Sequence, residues 1–181
     1  DFERVPTYWY APTKRAKQQL EKEYEIRKKH GLPVTFLNKQ QLKEELNIDA
    51  YVALYNDSSA QLDCYKAATF LLDYHLKKKE LRLYSHTQVV SYKRDKENYV
   101  LKTDEGYEIK CKHVVIAAGF ESGSFLPEKL MDLLSTYAII SHPVDKAHLW
   151  AKKALLWEKR DPYLYMRTTS DNRIIVGGED D

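Results

Sequence analysis

The run from Val114 to Gly119 constrains the fold more than any other stretch of this sequence. It reads VVIAAG, three β-branched apolar residues followed by two alanines and a glycine. A short apolar run without polar alternation is typical of a strand buried on both faces. Small residues at a strand's carboxyl end let a ligand approach the backbone, and ligands of open α/β sheets bind at that edge. A core strand that ends in a tight turn is the alternative, and the run by itself fits both.

Three further strands are predicted before this run. Residues 87–93 alternate between apolar and polar side chains, and residues 99–103 form a second segment of the same kind. Asp104-Glu105-Gly106 is a turn signal, and residues 107–110 follow it. Alternating segments separated by short turns predict a β-meander that leads into the VVIAAG strand.

Two later segments complete a pattern. They are Pro162–Thr168 (PYLYMRT) and Asp171–Glu179 (DNRIIVGGE). With the meander and the VVIAAG run, they resemble the FAD-dependent oxidoreductases of the D-amino-acid oxidase superfamily, which includes glycine oxidase, sarcosine oxidase and D-amino-acid dehydrogenases. The likeness covers nearly the whole chain, and it lies in the order and spacing of the motifs rather than in any one of them.

The resemblance implies an α+β fold. We expect a mostly antiparallel substrate-domain sheet with packed helices, together with part of an FAD-binding α/β domain. Residues 1–60 and 126–181 are expected to belong to the substrate domain. Residues 61–125, with a helix, the meander and the VVIAAG strand, are expected to belong to the FAD-binding domain. The implied reaction is oxidation of an amino acid or related amine by hydride transfer to FAD.

Periodicity and capping residues predict the remaining elements. Helices are predicted from Lys14 to His30, from Lys39 to Leu46 and from Cys64 to about Lys78, and a loop with a short helix is predicted at 124–134. Residues 2–11 are β-prone with a bend at Pro6, and strands are predicted at 33–37, 50–55, 136–142, 154–157, 163–168 and 173–176.

Arg167 is the candidate for substrate binding. A carboxylate-bearing substrate requires a cation, preferably the bidentate guanidinium fork. Alternation places Arg167, Tyr163 and Tyr165 on one side of their strand, and the resemblance implies that this side faces the flavin ring. A surface arginine with two core tyrosines is the alternative. The family's most familiar carboxylate-binding arginine lies beyond the end of this sequence, so Arg167 is expected to be a substitute or a second contact. No catalytic side chain is assigned, because the flavin performs the hydride chemistry.

The resemblance also implies backbone contacts with FAD. Val89 corresponds to the position that meets the adenine, and Ala117, Ala118 and Gly119 correspond to the turn near the phosphates. The phosphate-binding G-x-G-x-x-G motif and the family's C-terminal glycine-rich segment do not occur in the sequence. We therefore expect the chain to be the middle of a longer enzyme, inactive and without firmly bound FAD when isolated.

Bulk properties exclude several other classes. A net charge of +2 gives no support for a nucleic-acid partner, and no apolar run is long enough for a membrane span. Cys64, Cys111 and the scattered histidines lack metal-ligand spacing, and we expect no metal and a cytoplasmic location. The expected partner is a small amine or amino acid. There are two alternatives to an amine-oxidising enzyme. One is a non-catalytic binding domain with a tyrosine-rich sheet, and the other is a flavin enzyme that acts on RNA or glycerol phosphate. The substrate, its stereochemistry, the electron acceptor and the oligomeric state are not predicted.

Overall fold

The computed structural model describes residues 2–125 and 132–179. Its α-helices are α1 (Lys14–Lys29), α2 (Lys39–Leu46) and α3 (Cys64–Lys77). Its strands are β1 (Phe2–Arg4), β2 (Thr7–Ala11), β3 (Thr35–Asn38), β4 (Val52–Asn56), β5 (Ala60–Leu62), β6 (Val89–Asp95), β7 (Asn98–Thr103), β8 (Glu108–Cys111), β9 (Tyr137–Ile140), β10 (Leu155–Glu158), β11 (Leu164–Thr168) and β12 (Ile174–Gly178). The chain divides into two compact units, one of Asp1–Cys64 with Leu134–Asp181, the other of Tyr65–Leu133.

The first unit is built on one seven-stranded sheet. Its strand order is β3-β4-β2-β10-β11-β12-β9. Neighbouring strands are antiparallel except β2 and β10, which run parallel with Thr7 opposite Leu155. Strands β1 and β5 form a separate antiparallel ribbon. Two strands that are far apart in sequence, β2 and β10, are therefore neighbours in the interior of the sheet.

Helices α1 and α2 cover opposite faces of one half of this sheet. Helix α1 starts where the Thr13 hydroxyl accepts a hydrogen bond from the Ala16 N–H, and Leu20 of α1 is fully buried against Ala11, Val52 and Leu54. Helix α2 starts at a reciprocal capping box between Asn38 and Gln41, and its Leu42 is buried in a second core. That core also contains Tyr8, Tyr10, Leu37, Ala53 and Leu156. Because successive residues of β2 point to opposite faces, one strand supplies side chains to both cores.

The second unit contains a three-stranded antiparallel meander, β6-β7-β8. Its β6–β7 register shifts between Val89 and Ser91, which marks a β-bulge. Helix α3 has no buried side chain, and its Tyr65 and Phe70 are 82% and 69% exposed. No helix in the described part of the chain has the length and apolarity that crossing a bilayer requires.

Most predicted elements are confirmed, and the α+β class with a mostly antiparallel sheet is confirmed. The strand predicted at Val114–Ile116 is wrong. These residues have no regular secondary structure, and Val115 is 88% exposed. A buried strand needs partner strands at its edges to pair its N–H and C=O groups, and no strand among residues 2–125 and 132–179 pairs with this run. The loop and helix predicted at 124–134 lie partly outside the described residues, at 126–131; a 3₁₀ helix spans Gly119–Phe125.

Candidate functional site

Three aromatic rings cluster on one face of the large sheet. They belong to Trp157 on β10, Tyr163 immediately before β11 and Tyr165 on β11. Their ring centroids are 5.9 Å apart for Trp157 and Tyr163, 5.8 Å for Trp157 and Tyr165, and 6.2 Å for the two tyrosines. Offset rings at these separations attract one another beyond simple burial. We call these three residues the aromatic shelf.

Strand register and one glycine bring the rings together. Trp157 lies opposite Tyr165 across the β10–β11 pair, and alternation puts Tyr163 on the same face. On the other side of β11, Gly177 lies opposite Tyr165. A Cβ atom on Gly177 would lie 2.7 Å from Cε1 of the Tyr165 ring and nearer still to its Cζ and Oη. The ring therefore occupies the space that a side chain at position 177 would need.

Arg167 lies at one end of the aromatic shelf. It follows Tyr165 by two residues on β11, lies opposite Ile175 and is partly buried. None of residues 2–125 and 132–179 forms a hydrogen bond or an ion pair with its guanidinium. Within the described ranges none of the five N–H donors of this fork has a partner, and the fork has the geometry that matches a carboxylate.

A cavity of about 400 Å³ opens at the other end of the aromatic shelf. Its lining includes Trp157 and Tyr163 of the shelf, together with Trp9, Arg27, Lys159 and Arg160. This volume lies within the range of small-molecule pockets, which are mostly apolar with a few convergent polar groups. The cavity lies entirely within the first unit.

Ion pairs neutralise both arginines of this cavity. The Arg27 Nε donates to Glu23 Oε1 at 2.7 Å within α1. The Arg160 guanidinium lies 3.4 Å from Glu158 Oε2 and also pairs with the Glu179 carboxylate. These carboxylates orient the guanidinium groups along the cavity wall and reduce their attraction for a further anion.

Trp9 carries two cations near its ring. The Arg27 Cζ and the Lys159 Nζ each lie 5.4 Å from the centre of the Trp9 ring, within cation–π range. In the core on the opposite face of the sheet, burial and then the charge of Glu158 raise the pKa of Tyr10 to about 12.

The predicted cofactor residues all lie in the second unit. Val89 is the first residue of β6, at the β-bulge, and is 40% exposed. Ala117 and Ala118 are exposed and have no regular secondary structure. Gly119 has a φ of +59°, and nothing lies within 4 Å of the position of its Cβ. The space around Gly119 fits a cofactor that is contacted through main-chain atoms, and the positive φ explains the glycine, while the Ala118 N–H donates to the Ser122 hydroxyl at 3.2 Å.

The contact between the Tyr163 and Tyr165 rings confirms that these two side chains share one face. The place of Arg167 on that face still rests on alternation, and the functional roles of all seven predicted site residues stay predictions. Sequence reasoning missed Trp157, Trp9, Arg27 and Lys159. Alternation within β10 could have indicated Trp157. The other three depend on the pairing of β2 with β10, for which the sequence contains no local signal. Within the described ranges, no group of three or more His, Cys, Asp or Glu side chains could hold a metal ion.

Comparison with known families identifies the chain. All of its residues, 1–181, match the family model DAO, described as FAD dependent oxidoreductase. The chain belongs to this family. The cofactor of this family is FAD. A search of curated proteins found no match to the sequence.

Solved structures of several oxidoreductases share the fold. Glycine oxidase from Geobacillus kaustophilus has a TM-score of 0.77 at 21% identity, covering 99% of this chain and 48% of that chain. L-Proline dehydrogenase from P. horikoshii has a TM-score of 0.76 at 18% identity, covering 97% and 49%. L-α-Glycerophosphate oxidase from Mycoplasma pneumoniae, with FAD bound, has a TM-score of 0.77 at 14% identity, covering 99% and 50%. The chain spans about half the length of these proteins, and at such identities the likeness shows the fold alone.

Proposed function

We propose that the complete gene product oxidises an amino acid or a related amine by hydride transfer to FAD. The observation that carries this proposal is the sheet face with the aromatic shelf, where Arg167 follows Tyr165 by two residues and its guanidinium has no partner among the described residues. A carboxylate and an apolar body next to the amine are the features that such a face recognises. The names of glycine oxidase and L-proline dehydrogenase denote amino-acid substrates, which supports this substrate class for a shared fold.

Each element of the site has a proposed role. Arg167 binds the substrate carboxylate through two parallel hydrogen bonds and so fixes the orientation of the neighbouring C–H bond. Tyr163, Tyr165 and Trp157 pack against the substrate's apolar part and exclude water. When bound, FAD supplies the acceptor for the hydride that leaves the carbon bearing the amine. The two electrons depart with the hydride and the nitrogen loses a proton, so the organic product is an imine.

The cofactor contacts are proposed for the second unit. Val89 meets the adenine through its backbone, and Ala117, Ala118 and Gly119 contact the phosphate side of FAD. Ala117, Ala118 and Gly119 have the small side chains that such contacts need, and nothing lies within 4 Å of the position of the Gly119 Cβ. The exposed Val115 and Ile116 beside them are expected to be covered in the complete gene product.

The test is the visible spectrum of the complete gene product during anaerobic addition of amines with and without a carboxylate. Bleaching of flavin absorbance by carboxylate-bearing amines supports the proposal. In Arg167→Met, kcat/KM for such amines should fall by roughly 10–150-fold, the value of a hydrogen bond to a charged group. Arg167→Lys is the matched control, because it keeps the charge and loses the fork. Its kcat/KM should lie between those of the unmodified protein and Arg167→Met.

Two results would contradict the proposal. Equal bleaching by amines with and without a carboxylate, unaffected by Arg167→Met, would remove Arg167 from substrate binding. A protein that stays colourless after incubation with FAD would instead favour a non-catalytic binding domain.

A further inference from the structure

Two tryptophans on adjacent strands line the cavity beside the aromatic shelf. Trp9 of β2 lies directly opposite Trp157 of β10 in the parallel pair, so both indoles project from the same face of the sheet. Tyr163 adds a third ring to the lining. A cavity of about 150 Å³ can hold benzene. The volume of about 400 Å³ found here therefore accommodates a ring-sized group.

Different neighbours hold the two indoles in place. Trp9 packs against the core beneath α1, and the Arg27 and Lys159 side chains lie over its ring. Trp157 packs instead against both tyrosines of the shelf, on the side of β10 away from β2. The aromatic walls of the cavity are thus formed before a ligand binds, which lowers the entropic cost of binding a rigid ring.

Charges at this cavity balance. Its three cationic side chains are Arg27, Lys159 and Arg160. Glu23 pairs with Arg27, while Glu158 and Glu179 pair with Arg160, so three carboxylates accompany the three cations. A charged ligand group would lose its hydration here without a net opposite charge to offset that loss. The cavity therefore favours an uncharged group.

We propose that the substrate carries an uncharged aromatic ring, and that Trp9 and Trp157 determine this specificity. The inference rests on the proposed function, in which Arg167 binds the substrate carboxylate. Trp157 lies one strand across and two residues along from Arg167. At about 3.3 Å per residue and about 4.8 Å per strand, their Cα atoms are roughly 8 Å apart. A short spacer between the carbon that bears the carboxylate and the ring spans this distance, and contacts with the indoles add to the gain from burying the ring.

Binding of non-reactive acids tests this without any turnover. The probes are the ω-phenyl carboxylates from phenylacetate to phenylbutyrate, titrated calorimetrically into the FAD-loaded complete gene product. Each is compared with the alkanoate that has a methyl group in place of the phenyl group, and with the dicarboxylate that has a carboxylate there. We expect at least one phenyl acid to bind about tenfold more tightly than both of its counterparts.

Trp157→Leu should remove most of this difference, because leucine keeps an apolar side chain and loses the flat ring. Trp157 is 42% exposed, so the substitution leaves the buried cores intact. Trp150→Leu is the matched control, because Trp150 packs against the core on the opposite face of the sheet and does not line the cavity. Equal affinity for phenyl acids and alkanoates, tighter binding of the dicarboxylates, or equal effects of the two substitutions would overturn the inference.

Arg167→Met separates this result from the proposed function. It should weaken the binding of phenyl acids and alkanoates by the same factor, because both present the same carboxylate. If it weakens neither, the role of Arg167 in the proposed function is refuted, and the ratio of phenyl-acid to alkanoate affinity still decides whether the cavity selects a ring.

Discussion

Gly177→Ala tests whether the aromatic shelf depends on the missing side chain opposite Tyr165. The new Cβ would lie 2.7 Å from Cε1 of that ring, whereas ordinary contacts lie at 3.4–4 Å. The backbone at Gly177 has no positive φ, so alanine meets no conformational obstacle there. The clash is with the outer end of a side chain on the open face of the sheet. The Tyr165 ring can therefore swing away by about 1 Å or more, at the expense of its stacking.

The cost follows from the ring contacts. Moving Tyr165 weakens its pairs with Tyr163 and Trp157, and each aromatic pair contributes roughly 0.5–1.5 kcal/mol. Gly177→Ala should therefore lower the free energy of unfolding by about 1–3 kcal/mol, which is also the usual range for overpacking. In the complete gene product the same displacement should raise KM for the amine more than it lowers kcat, because the role proposed for the shelf is to contact the substrate's apolar part.

A double-mutant cycle provides the decisive comparison. Urea unfolding of Gly177→Ala, Tyr165→Ala and the double variant should show that alanine at 177 costs little once the ring is absent. Gly178→Ala is the contrast, because its φ is +127° and its Cβ would clash with the Tyr163 main chain, which cannot move aside. Tyr165→Ala should give no rescue there. An equal cost of Gly177→Ala with and without the Tyr165 ring would refute the reasoning.

Two further predictions concern pH and the cofactor. Because the fold raises the pKa of Tyr10 from 10 to about 12, chiefly through burial, the unfolded chain loses its proton first as pH rises. The free energy of unfolding should therefore fall between about pH 10 and about pH 12, and Tyr10→Phe should make urea unfolding less sensitive to pH in that window; an unchanged slope would contradict this. The isolated 181-residue chain should retain FAD well below one equivalent after gel filtration, and stoichiometric visible flavin absorbance in that chain would show the expectation to be wrong.

Local sequence signals predicted the helices and most strands. The starts of α1 and α2 depend on Thr13 and Asn38, whose side chains cap the next turn of the same segment. Such contacts are encoded within three or four residues, so pattern and capping rules place these helices closely. The same holds for Tyr163, Tyr165 and Arg167, whose common face follows from alternation within one strand.

Long-range pairing could not be predicted in the same way. The ribbon of β1 with β5 joins residues about 60 positions apart, and the short β5 has no strong apolar pattern. Gly177 lies beneath the Tyr165 ring because of the β11–β12 register. The residue composition of the two strands does not determine that register. At Val114–Ile116 the apolar run predicts a doubly buried strand, but such a strand requires partner strands at its edges, and the described chain pairs none with it.

The parallel pair of β2 and β10 also has a consequence for synthesis. Thr7 pairs with Leu155, so about 148 residues are translated between the two partners. Translation proceeds at roughly 5–20 residues per second. The edge of β2 that later pairs with β10 therefore has unpaired N–H and C=O groups for about 7–30 s during synthesis. An unpaired strand edge of this kind, which includes Tyr8 and Trp9, can pair with the edge of another nascent chain. Expression at lower temperature or with chaperones should favour soluble product, because both reduce encounters between such edges.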